Sequence, residues 1–257
     1  MKKYINTGSK VIPLFALGVF LFLWQLAVVR TGTPSWLMPA PTQVAAALAD
    51  IFPLLWEHTV TTVFEALTGF VASIALAFFM AFLMDNVVWV RQALYPLIII
   101  SQTIPLIVLT VLFIIWFGFG TLPKVLVVIL VCFFPILISL MEGMDDVDPD
   151  QIQLFRSMGA NRLAIYKMVK LPASMPAFFS GLRISATYSI MAAIIGEWMG
   201  AESGLGYFMT LASKGFKTDQ VLAAVLLICL LSLLLVKFID LLEYLLLPWN
   251  RTDKTAW

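Results

Sequence analysis

A few polar side chains interrupt the long apolar runs of this sequence, and their types could do chemistry there. They are Glu65, Ser101, Gln102, Arg183 and Glu197. Polar groups within apolar helices are costly, so each should face protein, water or a solute rather than lipid. The available chemistry is hydrogen bonding and charge pairing. We therefore treat all five as candidates for a translocation path.

Two interpretations of these residues stay open. Glu65 and Glu197 either contact a solute, or they have a structural role in which they neutralise Arg183 or bind backbone groups near helix ends. Gln102 lies close to Pro105, which frees a backbone carbonyl that needs a partner or water. Gln102 is therefore expected to line a cavity, with a structural role as the alternative.

One long polar passage, residues 148–172, lies between two apolar segments. Asp148 suits the N-cap of a helix, and Gly159 offers a left-handed stop about ten residues later. Asn161 can cap a second short helix, and Pro172 is expected to block its continuation into the next apolar run. The sequence predicts a bent helix-turn-helix at the membrane surface.

The elements around these residues are predicted from composition and run length. Of 257 residues, 61% are hydrophobic and 12% charged, and the mean hydropathy is +0.98, which is typical of an integral membrane protein. A helix of about 20 apolar residues crosses the hydrocarbon layer. We predict an all-α integral membrane protein, one domain over residues 1–257, with six spans at about 11–29, 60–84, 93–117, 122–141, 175–200 and 221–247.

Lysine and arginine positions predict the orientation, because cytoplasmic loops are enriched in both. With the N-terminus inside, the cytoplasmic basic residues are Lys2, Lys3, Lys10, Arg91, Arg156, Arg162, Lys167, Lys170, Arg251 and Lys254. The external ones are Arg30, Lys124, Lys214 and Lys217. Ten against four predicts that both termini are cytoplasmic, and with them the 148–172 loop.

Missing motifs exclude several functions. The sequence has no GxxxxGK[ST] loop, so this chain cannot hold ATP phosphates in that manner. It has no HExxH or GxSxG pattern, which argues against a membrane protease or esterase. The net charge of +1 provides no basic stripe for nucleic acid. We predict a chain without catalytic residues, cofactor or metal of its own.

The 148–172 loop resembles the EAA loop of binding-protein-dependent ABC importer permeases. Its Gly159 and its Leu171-Pro172 pair have the spacing of that motif, and Gln153 stands at its acidic position. The stretches LMPAPTQV, LPASMPAFFSGLRIS and IIGEWMGAESGLGYFM are similar to the nitrate, sulfonate and taurine branch of these permeases. Within that branch, IIGEWMG and GLGY look closest to permeases for the pyrimidine precursor of thiamine.

The resemblance implies a type I importer permease fold in the bacterial plasma membrane, with a cytoplasmic coupling helix at about 156–163. It implies that the ATPase contacts the loop through Gln153, Arg156, Gly159, Ala160, Asn161, Arg162, Leu171 and Pro172. The implied partners are a second copy of this permease, two ATPase subunits that bind ATP and Mg, an extracytoplasmic binding protein, and membrane lipid. The cargo would be a small organic solute, with a thiamine pyrimidine precursor favoured. The alternatives are an alkanesulfonate, taurine or nitrate importer and an ion-coupled secondary transporter.

Overall fold

The computed structural model describes residues 7–251, and all regular secondary structure in that part of the chain is helical. The helices are α1 (Thr7–Thr31), α2 (Pro41–Asp50), α3 (Phe52–Asn86), α4 (Val88–Ser101), α5 (Leu106–Phe117), α6 (Thr121–Asp145), α7 (Pro149–Ser157), α8 (Arg162–Ile165), α9 (Leu171–Trp198), α10 (Leu205–Lys214) and α11 (Thr218–Leu246). A π-helical turn, Tyr166–Lys170, joins α8 to α9, and a 3₁₀ turn, Pro248–Arg251, follows α11. By length and composition, five helical segments among the described residues could cross a membrane alone, and the bent pair α4–α5 counts as a sixth if it is one broken span. The predicted fold class is confirmed.

The chain forms two compact units, and the smaller one comprises residues 1–57 and 208–227. In it, α1 is almost entirely exposed from residue 12 onward, as expected of a helix that faces lipid. Helix α2 starts at Pro41, and the Gln43 Oε1 atom accepts the Ala40 N–H at 2.8 Å. The Thr218 hydroxyl donates to the Trp36 carbonyl at 2.5 Å, which joins the start of α11 to the turn at Trp36.

The larger unit comprises residues 58–207 and 228–257, and its centre is the α6–α9 pair. Glycines let the two helices approach closely: a Cβ on Gly181 would lie 2.5 Å from the Pro135 carbonyl oxygen. The Ser185 hydroxyl also donates to the Cys132 carbonyl at 2.8 Å. The small residues of α9 thus allow tight packing against α6.

The third predicted span, 93–117, is not one helix. Helix α4 ends at Ser101, α5 begins at Leu106, and their axes differ by 104°. Pro105 has no N–H and disfavours helical backbone at the residue before it, so the helix breaks between the two. The sequence indicated a loosened turn beside Pro105 but not a break of this size.

Pro172 does not stop the helix that follows Asn161, and that prediction is wrong. Helix α8, the π turn and α9 form one continuous helical segment, Arg162–Trp198. A proline in a helix loses one hydrogen bond and clashes with the carbonyl four residues earlier. The π turn at Tyr166–Lys170 widens the helix at that point, and we attribute the tolerance of Pro172 to it.

The predicted coupling helix at 156–163 is likewise not a helix. Helix α7 ends at Ser157 and α8 begins at Arg162, so most of that range is the turn between them. Gly159 has φ +84°, a left-handed conformation that ends α7 and redirects the chain. The 148–172 loop is therefore a helix, a turn and the start of a long helix.

Candidate functional site

The 148–172 loop has the local geometry expected from its capping residues. The Asp148 Oδ1 atom accepts the Asp150 N–H at 2.9 Å, and the Asn161 Oδ1 atom accepts the Ala164 N–H at 2.8 Å. Between the caps, the Ala160 N–H donates to the Phe155 carbonyl at 3.0 Å across the left-handed glycine. These bonds satisfy backbone groups that helix ends otherwise leave free, so the turn has a defined shape.

The tip of this loop presents apolar and basic side chains together. Leu154, Met158 and Leu163 are exposed, with Met158 at 76%. Arg156 and Arg162 are also exposed, and both line a cleft of about 240 Å³. An apolar patch rimmed by charge is typical of a surface that binds another protein.

The base of the loop is fixed to the rest of the larger unit. Lys170 forms an ion pair with Asp85 at the end of α3. Tyr166 packs edge-on against Phe82, with ring centroids 5.1 Å apart. These contacts attach the base of the loop to α3, and the chain itself connects the loop to α9.

The predicted coupling residues divide into two groups. Gln153, Arg156, Gly159, Asn161 and Arg162 are exposed on the loop. Ala160, Leu171 and Pro172 are half-buried. The first group can reach a partner directly, and the second group shapes the loop.

A buried ion pair joins α3 to α6. The Lys124 Nζ atom lies 2.5 Å from the Glu65 Oε1 atom, and both residues are at most 5% exposed. The Glu65 Oε2 atom has no hydrogen-bond partner among the described residues. Lys124, which the sequence analysis counts among the external basic residues, lies in the first turn of α6 with its charge compensated by Glu65.

Glu197 belongs to the same cluster and holds the segment after α9. Its carboxylate accepts the Thr62 hydroxyl and the Gly206 N–H, each at 2.6 Å. Thr62 in turn accepts the Leu205 N–H at 2.8 Å. Gly204 has φ +112°, and a Cβ there would collide with the Glu197 carboxylate. Glu197 therefore anchors a turn that only glycine allows at this position.

Arg183 lies in the middle of α9 and pairs with neither Glu65 nor Glu197. Its guanidinium forms an ion pair with Glu243 and a longer contact of 3.4 Å with Asp240, both on α11. Of the two interpretations left open, pairing of the glutamates with Arg183 is thus wrong. The other structural interpretation, backbone binding near a helix end, describes Glu197 correctly.

Ser101 and Gln102 line a cavity of about 240 Å³ where α4 breaks. Leu109 of α5, Phe134 of α6 and Tyr188 of α9 contribute to the same cavity. The expected cavity-lining position of Gln102 is therefore observed. Glu65, Arg183 and Glu197 do not line it.

Sequence reasoning missed four residues that matter in these clusters: Thr62, Asp85, Lys124 and Tyr188. Lys124 and its partner Glu65 are 59 positions apart, and Thr62 and Glu197 are 135 apart. No local pattern in the sequence marks such pairs. Only the packing of α3, α6 and α9 shows them.

Most of the chain, including the 148–172 loop, matches a known protein family. Residues 73–252 match the model of the family described as binding-protein-dependent transport system inner membrane component. This chain belongs to that family. The match covers α4 to α11, including the 148–172 loop, so the resemblance drawn from the EAA-like motif is confirmed.

This permease is also similar to transport permeases of named systems. It is 33% identical to the formylaminopyrimidine transport permease ThiX of Halalkalibacterium halodurans, over 91% of this chain and 93% of that protein. It is 33% identical to the riboflavin transport system permease RibX of Chloroflexus aurantiacus, over 91% and 88%. It is 28% identical to the taurine transport system permease TauC of Escherichia coli, over 88% and 85%.

The fold of the permease also matches a solved structure. An amino acid ABC transporter crystallised with histidines aligns with a TM-score of 0.64 at 16% identity, over 77% of this chain and 97% of that one. At this identity the comparison concerns the fold alone. It agrees with the predicted type I importer permease fold.

Proposed function

We propose that the chain is the membrane subunit of an ATP-driven importer and that the 148–172 loop receives force from a separate ATPase. The observation that carries the proposal is the continuous helical segment Arg162–Trp198, which begins in the exposed loop and carries Glu197 in its last turn. A push on the loop tip would move α9 as one body. Because α9 packs along α6, this movement would reach the centre of the larger unit.

The partners follow from the family and from the loop surface. Two ATPase subunits, each holding ATP and Mg, would bind the loops of two copies of this permease. An extracytoplasmic binding protein would deliver the solute to the opposite side. Exposed Leu154, Met158 and Leu163 supply apolar contact for the ATPase, and Arg156 and Arg162 supply charge. Alternation between two conformations would then move the solute inward.

The proposed location is the bacterial plasma membrane, with both termini and the 148–172 loop in the cytoplasm. Of the basic residues used for this assignment, Lys2, Lys3 and Lys254 lie outside the described residues.

The proposed cargo is a thiamine pyrimidine precursor. The 33% identity to ThiX supports it, together with the IIGEWMG and GLGY segments that hold Glu197 and Gly204. The second candidate is an alkanesulfonate or taurine, which the similarity to TauC supports. An ion-coupled carrier, left open by the sequence, is not supported by the family match.

Co-purification and uptake test the importer function. The tagged chain, expressed with its genomic neighbours, should bring down an ATPase with a phosphate-binding loop and take up solute when ATP is supplied. Reversing both loop charges, Arg156→Glu with Arg162→Glu, should abolish ATPase binding while the permease still inserts into the membrane. Lys167→Glu, an exposed change in the same loop, is the matched control and should retain binding. Wild-type uptake by the double variant would contradict the proposal.

A further inference from the structure

An exposed apolar patch lies just beyond the end of α1, within the smaller unit. It consists of Trp36, Leu37 and Met38 in the turn after α1 and of Phe216 in the turn after α10, and we call it the Trp36–Phe216 patch. The two rings meet edge to face with centroids 6.5 Å apart, and the Thr218 hydroxyl donates to the Trp36 carbonyl. The two turns therefore present their apolar side chains as one surface.

Hydrogen bonds to α1 fix the depth of this patch. The Thr42 N–H and the Thr42 hydroxyl both donate to the Gln25 Oε1 atom at 3.3 Å. Gln25 lies six residues before the end of α1, which corresponds to about 9 Å along the helix axis. The loop after α1 thus folds back to a level within the apolar run of that helix. Side chains on this loop stay near the membrane boundary instead of projecting far into water.

Three cations accompany the patch along the chain. Arg30 lies in the last turn of α1, and Lys214 and Lys217 stand on either side of Phe216. All three are exposed, and within residues 7–251 none forms an ion pair, not even with Asp219, the nearest acidic residue in the sequence. Apolar side chains bordered by cations are typical of a segment that lies at lipid headgroups. The charge favours anionic headgroups over zwitterionic ones.

Phe216 has a backbone conformation that a bulky residue rarely adopts. Its φ of +56° is the only positive value outside glycine among the described residues. It takes the left-handed position that glycine usually occupies after a helix, although Gly215 stands immediately before it. The Lys217 N–H closes this turn on the Ala212 carbonyl at 2.9 Å, and the Phe216 ring is 71% exposed. Such conformations are concentrated at functional positions, and here one presents an aromatic ring at the membrane boundary.

We propose that the Trp36–Phe216 patch is a lipid anchor: its side chains insert among the lipid chains at the membrane surface where α1 ends, while Arg30, Lys214 and Lys217 bind the phosphates of anionic phospholipids. The patch continues the surface of α1, which is almost entirely exposed from residue 12 onward and faces lipid. A lipid surface matches both the apolar and the cationic part of this region. The anchor does not depend on the ATPase coupling proposed above.

Spin labelling of the full chain in lipid nanodiscs tests the depth of the patch. Leu37→Cys is introduced into a Cys229→Ser chain, in which the remaining Cys132 is buried, and is labelled with a methanethiosulfonate nitroxide. Collisions with oxygen, relative to those with water-soluble nickel ethylenediaminediacetate, should be severalfold more frequent at this label than at the exposed control Ser157→Cys, because the polar complex is excluded from apolar surroundings.

Two other results of this measurement would overturn the proposal. A collision ratio equal to that of the control would mean that water covers the patch, as a docking site for the binding protein requires. Few collisions with either reagent would mean that protein covers it, as in contact with a second copy of the chain.

Lipid selectivity tests the cationic part of the anchor. A fluorophore on Leu37→Cys is placed in equimolar phosphatidylglycerol and phosphatidylcholine, with one or the other lipid brominated as a quencher. Phosphatidylglycerol should quench more strongly, and Lys214→Gln with Lys217→Gln should lower this preference severalfold, because each lysine near an anionic surface contributes up to about fivefold. Lys167→Gln, an exposed change in the 148–172 loop, is the control and should leave the preference unchanged. Equal quenching by the two lipids, or an unchanged preference in the double variant, would overturn the proposal.

Discussion

Removing the charge of Lys124 should destabilise the permease strongly. Lys124 is 5% exposed and is bonded to Glu65, which is fully buried, and it also attracts Glu197. Lys124→Met keeps the aliphatic stem that packs near Gly196 but leaves two buried carboxylates without a cation. Breaking one side of a buried pair costs about 3–5 kcal/mol. For a chain of this size, that loss corresponds to roughly 6–20 °C in Tm.

The assay is thermal unfolding of the purified permease in detergent, with a second-site variant as the control. Glu65→Gln in the Lys124→Met background removes the unpaired charge while it preserves shape. The double variant should recover to within about 1–2 kcal/mol of wild type, because a buried pair contributes little net stability over neutral groups. A Lys124→Met protein as stable as wild type, or a double variant no better than the single one, would refute this reasoning.

Two further predictions concern the loop glycine Gly159 and the half-buried cation Arg183. Gly159→Asn should retain ATPase stimulation, whereas Gly159→Val should lower it severalfold. The φ of Gly159 is +84° with open space around the position, and a β-branched residue in that conformation costs about 1–3 kcal/mol. Equal stimulation by the two variants would argue against a conformational role for Gly159. Arg183→Met should lower the free energy of unfolding by about 2–3 kcal/mol, because it leaves its partner Glu243, which is only 3% exposed, without a cation. Lys237→Met should lower it by at most about 0.5 kcal/mol, because the Lys237 side chain is 77% exposed. Chemical denaturation of the two variants side by side checks this difference, and similar losses would disprove it.

Features encoded by neighbouring residues were predictable from the sequence. Asp148 and Asn161 act on backbone groups two or three positions away, so their caps could be anticipated. Gly159 signals a left-handed turn by its type alone. Apolar run length indicated the spans, because a crossing helix needs a minimum of about 20 mostly apolar residues.

Features that depend on distant packing were not predictable in this way. Pro172 obeys the local rule for helix termination, yet the π turn before it lets the helix continue. The partner of Lys124 could not be anticipated, because only the packing of α3 brings Glu65, 59 positions away, against it. Arg183 required a partner, but nothing local distinguished Glu243 from the two glutamates that the sequence suggested.

If the 148–172 loop receives force as proposed, the continuous helical segment Arg162–Trp198 would act as a long lever. Its 37 residues extend about 55 Å at 1.5 Å per residue. A tilt of about 10° around the loop end would displace the far end by roughly 10 Å on that length. Glu197 lies at this far end and accepts the Gly206 N–H. A small rotation at the loop would therefore cause a larger displacement of the turn at Gly206, at the opposite end of α9.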